Sequence, residues 1–98
     1  MPEYIQIVTY ECDDIDALNA AANSVPVPDG VPKPISVTLV KDRDRPGNYA
    51  TILRFASYED AMQHSESDAT HERVAKISPL MKGETKFYNL DVVDELRA

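Results

Sequence analysis

Two histidines and an aspartate in the second half of the chain have the spacing of a metal site. His64, Asp68 and His71 are four and three residues apart, so on an unbroken helix their side chains would share one face. The segment Ser65-Glu-Ser-Asp68 contains three residues of the types that cap helices. Because a break there would separate the two histidines, we predict no metal site, and exposed histidines are the plain interpretation.

His71 is the stronger single candidate for acid–base chemistry. It lies three residues before Val74 and six before Ile77, which with Met81 form the apolar stripe of a second helical segment. We therefore expect His71 at the edge of a pocket between this helix and a sheet. Histidine titrates near neutral pH and can transfer protons. The alternative is a surface histidine with no role.

The charge distribution excludes several classes of partner. The chain has 17 acidic and 10 basic residues, and no cluster of Lys and Arg with interleaved aromatics, so we predict no nucleic-acid partner. No apolar run reaches the roughly 18–20 residues that span a bilayer, and the first four residues lack the features of a secretion signal. We predict no membrane association and a cytoplasmic location, which the single cysteine, Cys12, fits.

The pattern of apolar residues predicts four strands and two helical regions. The long region from Ser57 to Met81 begins with a capping serine and is either one helix or two helices separated near Ser65–Asp68. Gly83 is expected to close it. The other predicted elements are a strand Tyr4–Tyr10, a helix Ile15–Val25, a strand Ile35–Lys41, a strand Tyr49–Phe55 and a strand Glu84–Val93.

The element order β-α-β-β-α-β predicts one α+β domain over residues 1–98 with a ferredoxin-like fold. In this arrangement both helices cover one face of a four-stranded antiparallel sheet. The strands carry apolar residues on both faces, so we expect a second copy of the chain to cover the open face and form a homodimer. Arg54 lies in the middle of a strand, and we expect it to have an acidic or carbonyl partner.

Several features resemble the antibiotic biosynthesis monooxygenase family of the dimeric α+β barrel superfamily. They are the strand Tyr49–Phe55, the run Phe55-x-Ser57-x-Glu59-x-Ala61-x-x-His64, the serine-rich link after it and the long last strand. The resemblance implies a dimeric α+β barrel. It also implies one of several activities, since the superfamily includes cofactor-independent oxygenases of aromatic substrates, haem-degrading enzymes and small-molecule isomerases.

The residues that hold haem in the haem-degrading relatives do not occur here. The first strand has Gln6 where those relatives have asparagine, the chain has no tryptophan, and Val74 falls near the position of their haem-binding histidine. We therefore predict no cofactor.

The resemblance to the oxygenases implies polar and aromatic groups around a cavity. We predict catalytic roles for His71, Arg54 and Tyr88, and ligand-binding roles for His64, Tyr58, Asn89 and Tyr10. The predicted function is a cofactor-independent monooxygenase or related enzyme that acts on a small aromatic molecule. The alternative is a dimeric barrel that binds a small molecule or is associated with stress, without catalysis.

Overall fold

A computed structural model of the chain describes residues 2–96. Residues 1, 97 and 98 of the predicted domain lie outside this range. The elements are β1 (Tyr4–Cys12), α1 (Ile15–Asn23), β2 (Ser36–Lys41), β3 (Asn48–Phe55), α2 (Tyr58–Glu66), α3 (Asp68–Ile77), a 3-10 turn (Ser78–Leu80) and β4 (Met81–Asp91).

The four strands form one antiparallel sheet in the order β2-β3-β1-β4. The strand β1 is central and pairs along its length with β3, where Tyr4 lies opposite Phe55 and Tyr10 opposite Tyr49. Its other edge pairs with β4, where Gln6 lies opposite Asn89. This order and these directions confirm the predicted ferredoxin-like α+β fold.

Polar side chains cap both ends of the first helix, α1. The side chain of Asp14 accepts a hydrogen bond from the amide of Ala17 at 3.0 Å, which satisfies one of the first-turn amides. The helix was predicted to reach Val25 but ends at Asn23. Ser24 caps the last turn by donating to the carbonyl of Ala21, and Pro26 disfavours a helical conformation in the residue before it.

The long helical region consists of two helices that meet at Ser67. Two separate helices were one of the two predicted alternatives. Ser67 has an extended backbone, with φ −69° and ψ 152°, and therefore cannot continue α2. Its hydroxyl donates to the carbonyl of His64 at 2.7 Å and accepts from the amide of Thr70 at 3.2 Å. One side chain thus ends α2 and begins α3.

The last strand begins earlier than predicted. Pro79 belongs to a 3-10 turn, and Met81 is the first residue of β4, paired with Cys12, instead of the last residue of a helix. Gly83 therefore lies within the strand, at a bulge where the pairing between β1 and β4 shifts. Its φ of +73° favours glycine there, and a Cβ at this position would also displace the end of the Glu11 side chain.

The core lies between the helices and one face of the sheet. Tyr4 and Phe55 pack on Ala61 of α2, while Tyr10 and Cys12 pack on Leu18 of α1. All four strand residues belong to the same face, because side chains along a strand alternate between the two faces.

The opposite side of the sheet, here called the open face, carries no helix. It presents Ile5, Ile7, Val40, Ile52, Tyr88 and Leu90, all half-buried or exposed. Arg54 also lies on the open face, where it forms ion pairs with Glu3 and, at 2.8 Å, with Glu95. The acidic partner predicted for Arg54 is confirmed.

Candidate functional site

A cavity of about 500 Å³ lies between the helices and the sheet. Its walls are mainly apolar side chains that project from the four strands of the sheet on one side and from α1 and α3 on the other. The apolar lining includes Val8, Val37, Leu39, Leu53 and Phe87 from the sheet, and Leu18, Ala22, Val74 and Ile77 from the helices. A cavity of this size holds an organic molecule of two or three rings.

His64 is the histidine that lines this cavity. The side chain is buried, its ring packs against Phe55 with centroids 5.2 Å apart, and Nδ1 lies 2.9 Å from the carbonyl oxygen of Pro32. A carbonyl can only accept, so Nδ1 carries the proton and donates. In the neutral ring Nε2 is therefore the basic nitrogen.

The environment of His64 keeps the ring neutral. Burial lowers the pKa of His64 because it penalises the charged form, and the positive charge of Arg73 lowers the pKa further. The hydrogen bond to Pro32 acts in the opposite direction and offsets part of this effect. Nε2 has no hydrogen-bond partner among residues 2–96. Every fully buried side-chain nitrogen in that range does have a partner, so Nε2 is not fully buried and remains accessible.

Arg73 supplies the positive charge at the cavity. It projects from α3, and its guanidinium donates to the carbonyl of Ala22 at 3.2 Å and to the carbonyl of Val25 at 2.7 Å. The carbonyl of Ala22 belongs to the last turn of α1, whose carbonyls have no partner within the helix, and Val25 lies two residues beyond the helix. Arg73 therefore ties α1 to α3 across one end of the cavity.

Two further polar groups meet on the floor of the cavity. The hydroxyl of Tyr10 lies 2.8 Å from the hydroxyl of Thr51, and burial raises the pKa of Tyr10. Nearby, the amide oxygen of Asn89 accepts from Tyr4 at 2.7 Å and from Gln6 at 3.2 Å. Gln6, Tyr10 and Thr51 line the cavity, and Asn89 lies beside Gln6 on the neighbouring strand.

The structure brings together only some of the residues predicted for the site. His64 and Tyr10 line the cavity, and Asn89 contacts it through Gln6. Tyr58 is exposed on α2, where its ring packs edge-on against Tyr4 at 5.4 Å. It is therefore a surface residue and does not line the cavity.

Arg54 and Tyr88 lie on the other side of the sheet from the cavity. The alternation of side chains along β3 and β4 places them on the open face, because their neighbours Phe55 and Phe87 project toward the helices. Tyr88 borders a separate surface cleft of about 510 Å³ that also includes Lys41, Arg45, Glu84 and Lys86. The structure therefore does not bring Arg54, Tyr88 and His71 together in one site.

The predicted position of His71 at the edge of the cavity is wrong. His71 is exposed and does not belong to the lining. The face of α3 that borders the cavity runs through Thr70, Arg73, Val74 and Ile77, at the i, i+3, i+4 and i+7 spacing of one helical face. His71 lies beside this face and projects toward solvent.

Sequence reasoning missed Arg73, although its position carried a signal. Once α3 is taken to begin after the cap residue Ser67, Arg73 falls on the same face as Val74 and Ile77. A charged residue on an apolar helical face requires a partner or a ligand.

None of the helices within residues 2–96 has the length and apolar character needed to cross a membrane. In that same range, no three side chains of the types that bind metals come together.

The backbone is similar to several solved structures. A "putative antibiotic biosynthesis monooxygenase" from Caulobacter crescentus CB15 has a TM-score of 0.80 at 18% identity, covering 95% of this chain and 92% of that one. SnoaB, a cofactor-independent oxygenase from Streptomyces nogalater, has a TM-score of 0.77 at 11% identity, covering 100% of both chains. Rv0793 from Mycobacterium tuberculosis has a TM-score of 0.73 at 19% identity, covering 97% of this chain and 99% of that one.

The chain has the antibiotic biosynthesis monooxygenase-like fold. The predicted resemblance is thereby confirmed for the fold. No family model and no curated protein matches the sequence. In this ABM-like fold the cavity described above is the space between the helical layer and the sheet.

Proposed function

We propose that this ABM-like protein is a cofactor-independent oxygenase of an aromatic small molecule that binds in the cavity between the helices and the sheet. The observation that carries the proposal is His64, a buried histidine that lines a mainly apolar cavity, with Nδ1 held by Pro32 and its pKa lowered by burial. The similarity of the fold to SnoaB, a cofactor-independent oxygenase, supports it. We further propose a cytoplasmic location.

The chemistry needs a base and an electron-rich substrate. Nε2 of His64 removes a proton from an acidic C–H or O–H group of the substrate, which leaves a carbanion or phenolate. This anion adds to O₂ at carbon, and the proton returns to form a hydroperoxide. The O–O bond then breaks with loss of water and leaves a carbonyl, so that R₂CH₂ and O₂ give R₂C=O and H₂O. The substrate supplies all the electrons.

The cavity holds the substrate against a mainly apolar lining. This lining displaces water from the part of the substrate that it contacts, which strengthens the electrostatic interactions there. It also slows the protonation of the anion by water before O₂ reacts. His64 is held in one tautomer by Pro32, so the base does not have to reorient.

We also propose that the protein is a homodimer joined through the open face. The residues Ile5, Ile7, Ile52 and Leu90 would bury apolar area at roughly 25 cal/mol per Å². The tail after β4 supports this arrangement, because the side chains of Val93 and Leu96 are 97% and 93% exposed. A partner chain that covers them would remove this exposed apolar surface from water.

The test compares turnover in three proteins: wild type, His64→Gln and His71→Gln. His71→Gln is the matched control, because it removes an exposed histidine outside the cavity. We expect wild type to consume O₂ with a panel of one- to three-ring phenols and enolisable ketones. His64→Gln should lose about 10²–10⁴-fold in turnover, as is typical when a general base is removed, and should keep substrate affinity.

The outcomes separate the enzyme from a simple binding protein. Binding of the panel without any O₂ consumption by wild type would contradict the oxygenase and favour the non-catalytic barrel. Equal turnover in wild type and His64→Gln would remove His64 from the mechanism.

A further inference from the structure

We propose that Arg73 is an anion-binding residue of the cavity, and that the cavity takes an aromatic ligand through an ionised hydroxyl or enol oxygen placed against this guanidinium. The inference rests on the proposed function in one respect only, that the cavity is the ligand site. It adds the class of ligand and the residue that selects it.

Arg73 has N–H donors that no residue in the range 2–96 uses. A guanidinium has five N–H donors in one plane. Two of them are used by the carbonyls of Ala22 and Val25, which hold the group in place. Nη1 has no hydrogen-bond partner among residues 2–96. Every fully buried side-chain nitrogen in that range has a partner, so Nη1 is not fully buried and is accessible.

The charge around the cavity differs from that of the chain as a whole. The chain has 17 acidic residues against 10 basic ones, yet the residues that line the cavity include no Asp and no Glu. Arg73 takes part in none of the ion pairs found among residues 2–96. A partly buried cation that forms no ion pair with a carboxylate of residues 2–96 favours an anion from outside the chain.

Arg73 and His64 line the same cavity. Arg73 is near enough for its charge to lower the pKa of the imidazole. A hydroxyl that gives its proton to Nε2 of His64 becomes an anion, which the guanidinium then stabilises. The two side chains are thus complementary, since one takes the proton and the other holds the charge that remains.

A purely structural role for Arg73, as the tie between α1 and α3, is the competing explanation. Such a tie would affect stability but would leave the ionisation of a bound ligand unchanged. The ionisation state of a bound probe therefore distinguishes the two roles.

The probe is 4-nitro-1-naphthol, whose visible absorption changes when it ionises, and the comparison ligand is its methyl ether, which cannot ionise. We expect wild type to lower the apparent pKa of the bound naphthol by about one unit, which corresponds to about tenfold tighter binding of the anion. Arg73→Gln should abolish this shift and leave the affinity for the ether within about twofold. Arg73→Lys, which keeps the charge, should keep part of the shift and serves if Arg73→Gln does not fold.

Lys76→Gln is the matched control. Lys76 is on the same helix and contacts the hydroxyl of Ser24 at 3.3 Å, outside the cavity, so its removal changes the net charge equally and should leave the shift intact. An unchanged naphthol pKa in wild type, or the same shift in Arg73→Gln, would overturn the inference. If neither ligand binds wild type, the ligand site of the proposed function fails and this inference fails with it. A shift without O₂ consumption would support Arg73 and contradict only the oxygenase.

Discussion

The hydrogen bond between His64 and Pro32 determines which nitrogen of the ring can act as a base. Pro32 lies in the proline-rich connection between α1 and β2, where proline rings limit the backbone to few conformations. The carbonyl that holds Nδ1 is therefore itself held in place. A stiff surface segment thus fixes the chemistry of a side chain on a helix that follows much later in the chain.

The lowered pKa of His64 predicts how stability depends on pH. In the unfolded chain the ring titrates at its ordinary value of about 6.5, and in the folded chain it resists protonation. The stability contributed by neutral His64 is complete above that value and is lost as the pH falls through the lower folded pKa. Urea denaturation between pH 8 and pH 5 should show this loss in wild type and in His71→Gln.

The variant His64→Gln should lack this part of the pH dependence. The carboxylates titrate in all three proteins, so the informative quantity is the difference between the two histidine variants. Identical pH profiles for both would contradict the assignment of the lowered pKa to His64.

At the scale of elements, the division between α2 and α3 depends on the side chain of Ser67. Its hydroxyl contacts the carbonyl of His64 and both the amide and the hydroxyl of Thr70. Thr70 in turn donates to the carbonyl of His64 at 2.6 Å. This small network fixes the angle at which α3, with Arg73, leaves α2, with His64, and so fixes the relative position of the two site residues.

Replacement of Ser67 by alanine should lower the free energy of unfolding by about 1–2 kcal/mol, the usual effect of removing an N-cap. It should also weaken ligand binding, because the angle between the two helices is no longer fixed. Thermal or chemical denaturation measures the first effect, and titration of the cavity ligand measures the second.

Ser65→Ala provides the control for the change in stability but not for the change in binding, because Ser65 also lines the cavity. Ser65 is exposed on α2 and caps no helix, so its replacement should change stability by less than about 0.5 kcal/mol. Equal effects of the two serine substitutions would show that the cap has no special importance.

Local sequence signals were sufficient for the elements but not for the site. The capping serine at Ser57 and the pattern of apolar residues along the strands and helices are short-range features, so they predicted the element order and the fold. The structure places His71 outside the cavity lining because its position depends on the angle between α2 and α3, and the ranking of His71 above His64 remains a prediction. The contacts of His64 with Pro32, and of Arg73 with the end of α1, join distant parts of the chain that no local pattern reveals.

At the scale of the whole molecule, the two faces of one sheet have separate uses. The face that meets the helices forms the cavity, with Val8 and Leu53 in its wall. The open face has Ile7 and Ile52 directly opposite one another at its centre, and we propose that it binds a second copy. A substitution on one face should therefore affect one property and spare the other.

Sedimentation at micromolar concentration should show a dimer for wild type and a smaller species for Ile7→Glu. A charge at the centre of an apolar interface cannot be compensated there, so association should weaken by several kcal/mol. Ala20→Glu, which adds the same charge to the exposed side of α1, should remain a dimer. A wild type that sediments as a monomer would contradict the proposed interface.

The outer strand β2 has a consequence for the behaviour of the chain in concentrated solution. It pairs only with β3, and all six of its residues are exposed, including Val37, Leu39 and Val40. Such an edge is a template for aggregation with other chains, because its free amides and carbonyls can recruit a foreign strand. Pro34 precedes it, and Lys41 ends it before a loop of four charged residues, Asp42–Arg45, which are features that natural proteins use against edge-to-edge growth. We therefore expect the residues that flank β2 to limit aggregation through this edge, whatever the packing of the core.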